Sequence, residues 1–385
     1  MQTNTHTFLQ NGKVVSGNEH VSNAFNQHFV NIGPSLADKI ETIPNIDHRH
    51  FMRERLNYSL FLEPVTYNEI LQVVRQFKNK RSKGVDDINM VTVKKLIHSL
   101  LVPLCHVFNL SLKNGIFPDS MKMAKVIPFY KSGNVQEFSN YRPVSLLPQF
   151  SKILEKLFYK RLLSFIEKHS ILSNNQYGFR ANHSTAYAIT ELVESITDAV
   201  DDNKYSVGVF IDLKKAFDTI DHKILLDKLE IYGIRGTVLR WIESYLCNRK
   251  QFVLYNDANS GKLLLKCGVP QGSILGPLLF ILYINDICNI SKLLMCILFA
   301  DDTNLLYANR CPKKLQATLN SELTKLRLWF KINKLSRNID KTNCIVFGSK
   351  CKHSIEIFIE AKLITQVYDT KFLGVFIDDN LTWKS

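Results

Sequence analysis

Between Cys296 and Tyr307 the chain reads Cys296-Ile297-Leu298-Phe299-Ala300-Asp301-Asp302-Thr303-Asn304-Leu305-Leu306-Tyr307, two adjacent carboxylates set between two apolar, β-prone runs. That pattern predicts a β-hairpin with an acidic tight turn. A single Asp after a strand is ordinarily a turn or a helix cap. A pair bounded on both sides by apolar strands is harder to explain so, because acids at the tips of buried strands are costly without a compensating cation or partner. A second apolar run, Val207-Gly208-Val209-Phe210-Ile211, also ends in an acid, Asp212. Two carboxylates from one hairpin and a third from another strand form a hard-oxygen set suited to Mg²⁺. Two such ions about 4 Å apart can activate an attacking hydroxyl and stabilise a leaving oxygen in phosphoryl transfer.

Around these segments strands and helices interleave. β-rich runs lie at Lys125–Tyr130, Ser206–Ile211, Gln251–Tyr255 and Met295–Phe299, and helical periodicity at Val65–Phe77, Ser151–His169, Thr185–Val200 and Ile274–Ile284. Asn11-Gly12 marks a tight turn. No Gly-x-Gly-x-x-Gly turn follows a strand, which removes support for a dinucleotide-binding fold. With 385 residues, 45% of them hydrophobic, the chain can bury one large or two medium cores. Its formal charge of +14 favours polyanionic partners. The cluster Lys78-Asn79-Lys80-Arg81-Ser82-Lys83-Gly84 fits either a solvated helix end or a phosphate-contacting edge. None of the eight cysteines forms a C-x-x-C pair, so no structural zinc is expected; several sit in apolar runs and read as reduced core thiols. No signal-like stretch opens the chain, and the longest uncharged apolar runs, Pro277–Ile284 and Leu293–Ala300, are too short to span a bilayer. The expectation is a soluble intracellular chain without a membrane partner, in nucleus or cytoplasm.

Three segments together carry a resemblance. Phe299-Ala300-Asp301-Asp302 is similar to the F/Y-x-D-D signature of reverse transcriptases. Ile211-Asp212-Leu213-Lys214-Lys215-Ala216-Phe217-Asp218 resembles the motif that supplies their first metal-binding aspartate. Gly268-Val269-Pro270-Gln271-Gly272-Ser273 is similar to their P-Q-G segment, and the order along the chain agrees. Further matches extend it from about residue 65 to 378. Lys131-Ser132-Gly133 through Asn140-Tyr141-Arg142-Pro143 resembles the fingers hairpin. Tyr177-Gly178-Phe179-Arg180 resembles the segment between fingers and palm, and Lys80-Arg81-Ser82-Lys83-Gly84-Val85-Asp86-Asp87 an N-terminal extension of the non-LTR branch. Asn338-Ile339-Asp340-Lys341-Thr342 is similar to the motif with a lysine near the departing pyrophosphate, and Lys371-Phe372-Leu373-Gly374-Val375 to the primer grip. The flavour of these motifs is that of jockey- and LINE-like retrotransposons.

The resemblance implies an α+β right-hand polymerase: fingers and palm, with an antiparallel palm sheet flanked by helices and a truncated thumb. It divides the chain into a helical N-terminal extension (1–110), fingers and palm (111–378) and the start of a thumb (379–385). It implies RNA-directed DNA polymerisation, adding dNTPs to a DNA primer on an RNA template, with target-primed synthesis by analogy alone. Two Mg²⁺ ions, with Mn²⁺ as a substitute, would be held by Asp212, Asp301 and Asp302. Lys131 and Arg142 would bind the triphosphate, for which an Arg fork and a Lys point charge are chemically suited. Gln271 would orient nucleotide or template base, Gly272 would allow close backbone approach, and Lys341 would assist the leaving group. Phe217 would be the ring that rejects a ribose 2′-OH, or else core packing beside Ala216 and Ile220. Lys80, Arg81, Lys83, Arg180 and Lys371-Phe372-Leu373-Gly374 would contact nucleic acid. Asp218, Asp221, Asn285 and Asp286 are expected to be structural neighbours. Two rival readings are a non-catalytic nucleic-acid-binding remnant of a degenerate element and a group II intron maturase. The chain is expected to be a fragment of a longer polyprotein.

Overall fold

Local signals set the element boundaries. The computed structural model describes residues 7–10, 12–41, 43–348, 355–359 and 362–382; Asn11 of the expected Asn11-Gly12 turn, Cys351 and the last residues of the expected thumb start lie outside them. Gly12 takes φ +77° between the paired strands Phe8–Gln10 and Lys13–Val15. The helix expected over Val65–Phe77 runs from Tyr67 to Gln76. Thr66 caps it, its side chain accepting from the Glu69 N–H while the Glu69 carboxylate accepts from the Thr66 N–H, a reciprocal pair that satisfies two otherwise orphaned donors. Its apolar face, Ile70, Val73 and Val74, is buried. The Ser151–His169 expectation becomes Gln149–Lys168, and Met295–Phe299 is a strand with the expected bounds.

The Met90–Asn114 helix starts at the Asn89 cap and ends at Gly115, whose φ of +68° closes the last turn. The boundary placed near residue 110 falls inside this continuous helix. It is also, by length and composition, apolar enough to cross a membrane, the one such helix among the described residues. His98, Ser99, His106, Asn109 and Ser111 interrupt its apolar residues, so no long unbroken apolar run marks it in the sequence.

The chain forms two compact units, each assembled from separate stretches: Met1–Leu36, Arg55–Ile171 and Phe217–Leu279 in the first, Ala37–Glu54, Leu172–Ala216 and Phe280–Ser385 in the second. In the first, one sheet runs in the order Tyr141–Leu146, Met123–Tyr130, Lys250–Tyr255, Ala258–Asn259, with Met123–Tyr130 parallel to Lys250–Tyr255. Phe8, Phe25, Phe29 and Phe138 pack with Val126 and Val253 into one of its cores. A second group of rings joins Phe117, Phe158, Trp241 and Tyr245, with Phe158 stacked on Trp241 at 4.0 Å.

The second unit holds a five-stranded sheet in the order Thr365–Gln366, Asn343–Phe347, Tyr205–Ile211, Asp302–Asn309, Met295–Phe299. Its ladders are antiparallel except at the edge, where Asn343–Phe347 and Thr365–Gln366 run parallel. The central Tyr205–Ile211 strand is buried from Ser206 to Ile211, as its unbroken apolar sequence requires. Ala188, Leu192 and Ile196 of the Thr185–Asp201 helix pack on Phe210, Ile297 and Leu306. The described cysteines form no disulfide; Cys296 and Cys344 are buried, and the others partly so.

Candidate active site

The sheet of the second unit brings the three aspartates to one end. Thr303 is the cross-strand partner of Ile211, so one step further along the same antiparallel ladder Asp302 stands beside Asp212. Phe299 and Asp302 are themselves partners, which leaves Ala300-Asp301 as a two-residue turn. Ala300 adopts φ +55°, a conformation strained for a residue with a Cβ. What holds it there is Gln176, whose Oε1 accepts from the Ala300 N–H at 3.0 Å and from the Gly178 N–H at 2.8 Å. Gly178 is obligatory, since a Cβ there would run into the Ala300 backbone nitrogen.

Asp212 is oriented from another direction. Asn338 donates through Nδ2 to Asp212 Oδ2 at 2.8 Å, and its backbone N–H donates to the Asp212 carbonyl at 2.8 Å. The Lys214 N–H to Ser336 carbonyl bond, 2.9 Å, extends the clamp. Asp302 lies exposed at its strand end, yet its carboxyl is pushed up to about 6, by partial loss of water around the carboxylate and then by the charges of Asp301 and Asp212. The three acids therefore sense one another electrostatically.

Among the described residues no three His, Cys, Asp or Glu side chains stand close enough to enclose one ion as they are. Asp212, Asp301 and Asp302 are carboxylates gathered at one end of the sheet and not a closed cage. Mg²⁺ suits such a set, because it keeps several waters and takes one or two carboxylates together with substrate phosphates. The excess negative charge around Asp302 is what a divalent cation would neutralise.

Lys341 is exposed just beyond Asn338, its N–H donating to the Asn338 carbonyl at 3.1 Å. Arg180 spends Nη1 on the carbonyls of Ser173, 2.8 Å, and Gln176, 3.1 Å, so part of its guanidinium holds the loop that carries Gln176. Leu373 and Gly374, at φ +49° and +94°, make the turn between the Asp369–Phe372 and Val375–Asp378 strands. Lys371 is exposed, with its ammonium over the Phe376 ring at 5.6 Å. Phe372 is only 3% exposed and packs beside Phe210, so its ring anchors this hairpin.

In the first unit, Arg142 is exposed and pairs across the sheet with Phe129, while Lys131 is exposed just past the strand end, its N–H on the Asn140 carbonyl at 2.9 Å. Gln271 is tied to the same strand, its carbonyl accepting from the Ser145 N–H at 2.8 Å. Gly272 has φ +120° and lies so near the Ser145 carbonyl that a Cβ would come within 2.7 Å of it. The close approach expected of this glycine is thus to the chain itself. The Phe217 carbonyl accepts from the Val269 N–H at 2.9 Å, which fixes the Phe217 turn against the Pro270-Gln271-Gly272 segment. Lys80, Arg81 and Lys83 are exposed on a strap held at both ends. Lys94 Nζ reaches Asn79 at 2.9 Å and Phe77 through its carbonyl, while Gln149 donates to the Ser82 carbonyl at 3.3 Å. Gly84 packs on the Leu147-Pro148 backbone.

Two positioning residues escaped the sequence reading, Gln176 and Glu155, while Asn338 and Asp218 stood inside the motifs above without a positioning role. Glu155 is fully buried and accepts from the Ile274 N–H at 2.8 Å, Tyr245 Oη at 3.2 Å and Ser151 Oγ at 3.0 Å, anchoring the stretch after Gly272. A signal existed for Glu155 alone, as a carboxylate on the apolar face of a periodic helix.

A family profile described as reverse transcriptase (RNA-dependent DNA polymerase) matches residues 130–377. The probable RNA-directed DNA polymerase from transposon BS of Drosophila melanogaster is 32% identical over 345 residues, covering 85% of this chain and 37% of the relative. That from the transposon X-element of the same fly is 30% identical, over 86% and 37% of the two chains. The RNA-directed DNA polymerase from mobile element jockey of Drosophila funebris is 28% identical, over 84% and 36%. The chain thus spans little more than a third of the length of these relatives.

Proposed function

We propose, from the premise that this chain belongs to the reverse transcriptase (RNA-dependent DNA polymerase) family and has its relatives among jockey and other non-LTR retrotransposons, that it is the nucleotidyltransferase core of such an element. It adds dNTPs to a DNA primer 3′-OH on an RNA template. The observation that carries this reading is the convergence of Asp212, Asp301 and Asp302 on one end of one sheet, close enough to raise the Asp302 carboxyl. That sheet is then the palm, and the Met123–Tyr130 and Tyr141–Leu146 hairpin the fingers. Residues before about 110 serve as the N-terminal extension, and those from 379 begin the connection to a thumb.

Asp212 and Asp301 would hold two Mg²⁺ ions, with Asp302 as a supplementary carboxylate. When bound, such paired ions lower the barrier for the primer hydroxyl and neutralise charge on the leaving oxygen. The residues of the chain do the positioning. Asn338 keeps an Asp212 oxygen directed, and Gln176 fixes the turn that presents Asp301. Arg142 and Lys131 bind the triphosphate, Lys341 lies on the pyrophosphate side, Gln271 meets the nucleotide or template base, and the Phe217 ring excludes a 2′-OH. Lys80, Arg81, Lys83 and Lys371 contact template or primer backbone, where exposed cations suit phosphates.

Primer extension on an RNA template with dNTPs and Mg²⁺ tests the reading. Extension that disappears in Asp212→Asn and Asp301→Asn is expected. A wild-type protein that binds primer–template and never extends it overturns the reading.

A further inference from the structure

Gln271 donates through Nε2 to both carboxylate oxygens of Asp218, at 3.0 Å to Oδ1 and 2.9 Å to Oδ2. A carboxylate only accepts, so the end of the amide turned to Asp218 has to be the NH₂ group; that choice follows from chemistry and not from how the two ends were placed. The carbonyl Oε1 is the end left over for another group.

Asp218 is itself held with unusual closeness. Its carbonyl accepts from the Cys267 thiol at 3.4 Å, and the flanking bonds run from the Gly268 N–H to the Ile220 carbonyl, 2.8 Å, and from the Val269 N–H to the Phe217 carbonyl, 2.9 Å. Burial and then the charges of Asp218 and Asp221 push the Cys267 thiol up to about 11, so it stays protonated as a donor. A Cβ on Gly33 would collide with the Asp218 carbonyl oxygen, and one on Gly268 would lie 2.9 Å from Asp218 Cα. His222 closes the arrangement, its Nε2 2.7 Å from the Gly268 carbonyl. With the backbone on both sides fixed, the Asp218 carboxylate is a stationary acceptor to which the Gln271 side chain must conform.

We infer that Asp218 is a positioning residue that sets the amide flip of Gln271, so that Gln271 presents a hydrogen-bond acceptor to its substrate and selects a donor there, a hydroxyl or an N–H. The inference rests on the reading above that Gln271 lies against nucleotide or template. Asp218 also joins the segment carrying Phe217 to the one carrying Gln271, so ring and amide are set by one brace.

A donor–acceptor exchange tests it. Asp218→Asn removes a charge-assisted bond and lets the amide turn over; Gln271→Glu places two carboxylates face to face. In the double variant the Asn amide at 218 donates to the Glu carboxylate at 271, restoring the contact with the same total charge and an acceptor still turned to substrate. Each single change is expected to lower kcat/KM for dNTP on the order of 10- to 100-fold, the range of a charge-assisted hydrogen bond, mostly through KM. The double variant is expected to recover most of the loss, with melting temperatures moving little across all four proteins. The same cycle is read in dNTP affinity of a complex stalled on a chain-terminated primer, which needs no turnover. A double variant as poor as the two losses multiplied overturns the inference, as does an Asp218→Asn protein that matches wild type. Wild type that binds dNTP with this coupling and does not extend overturns the polymerase reading alone. Wild type that binds no dNTP overturns both.

Discussion

Gln176 accepts the backbone N–H of Ala300 at 3.0 Å, and through that one oxygen the loop before Gly178 fixes the strained turn on which Asp301 sits. Gln176 is 1% exposed, so both N–H groups it satisfies have no water to fall back on. Gln176→Leu keeps the volume and removes the acceptor. Unfolding free energy is expected to fall by about 1–3 kcal/mol in denaturant titration, and the extension rate to fall more than dNTP affinity. Unchanged single-turnover rates would show that the turn holds Asp301 without Gln176.

Gly178→Ala asks the same question sterically. The added methyl has backbone on the far side, which cannot rotate away. Either the turn shifts and extension drops at least tenfold, or the protein loses stability; a variant indistinguishable from wild type in both assays contradicts the packing described.

Asn338→Ala should leave Asp212 in place and uncouple one of its oxygens. A loss of about one to two orders of magnitude in kcat is expected, against complete loss for Asp212→Asn, with both proteins melting cooperatively. Equal activities for Asn338→Ala and wild type would show that the carboxylate needs no such guide.

Glu69 supplies a pH prediction. Burial alone would raise its carboxyl, but hydrogen bonds from Arg161 and the Thr66 N–H, with the Arg161 charge, outweigh this and hold it below the usual range. A depressed carboxylate binds fewer protons folded than unfolded, so its contribution is present above the ordinary Glu pKa and is lost as the pH falls through the folded value. Glu69→Gln keeps the capping acceptor and removes the charge paired with Arg161, so it should cost about 1 kcal/mol at pH 7 and progressively less as the pH falls through the folded value. A difference that stays constant across that range in thermal melts counts against the assignment.

Phe217 is held at its carbonyl by Val269. Phe217→Val should raise ribonucleotide incorporation relative to deoxynucleotide without altering stability by more than about 1 kcal/mol. A preference unchanged from wild type would return this ring to core packing.

The hairpin around Asp301 was legible because its turn and both strands are local: two apolar runs and a two-residue turn are written in consecutive residues. The strand ending at Asp212 was legible for the same reason. Gln176 was not, and Asn338 and Asp218 were legible only as members of their motifs, since each acts on a partner far along the chain and carries no periodic or compositional mark of its own. Phe372 carries two marks at once: its segment resembles a family motif, and its apolar ring, alternating with exposed Lys371, follows the ordinary in–out pattern of a strand. The two units are assembled from distant segments that no shift in composition announces.

The strand that carries Asp212 has neighbours on each side that are both synthesised after it, residues 302–309 and 343–347. On the ribosome it therefore waits with two bare apolar edges, the state most open to wrong pairing. A nascent chain that stalls before residue 302 holds an aspartate with no sheet to present it. Competence arrives late in translation, after the hairpin closes beside it and Asn338 and residues 343–347 then join.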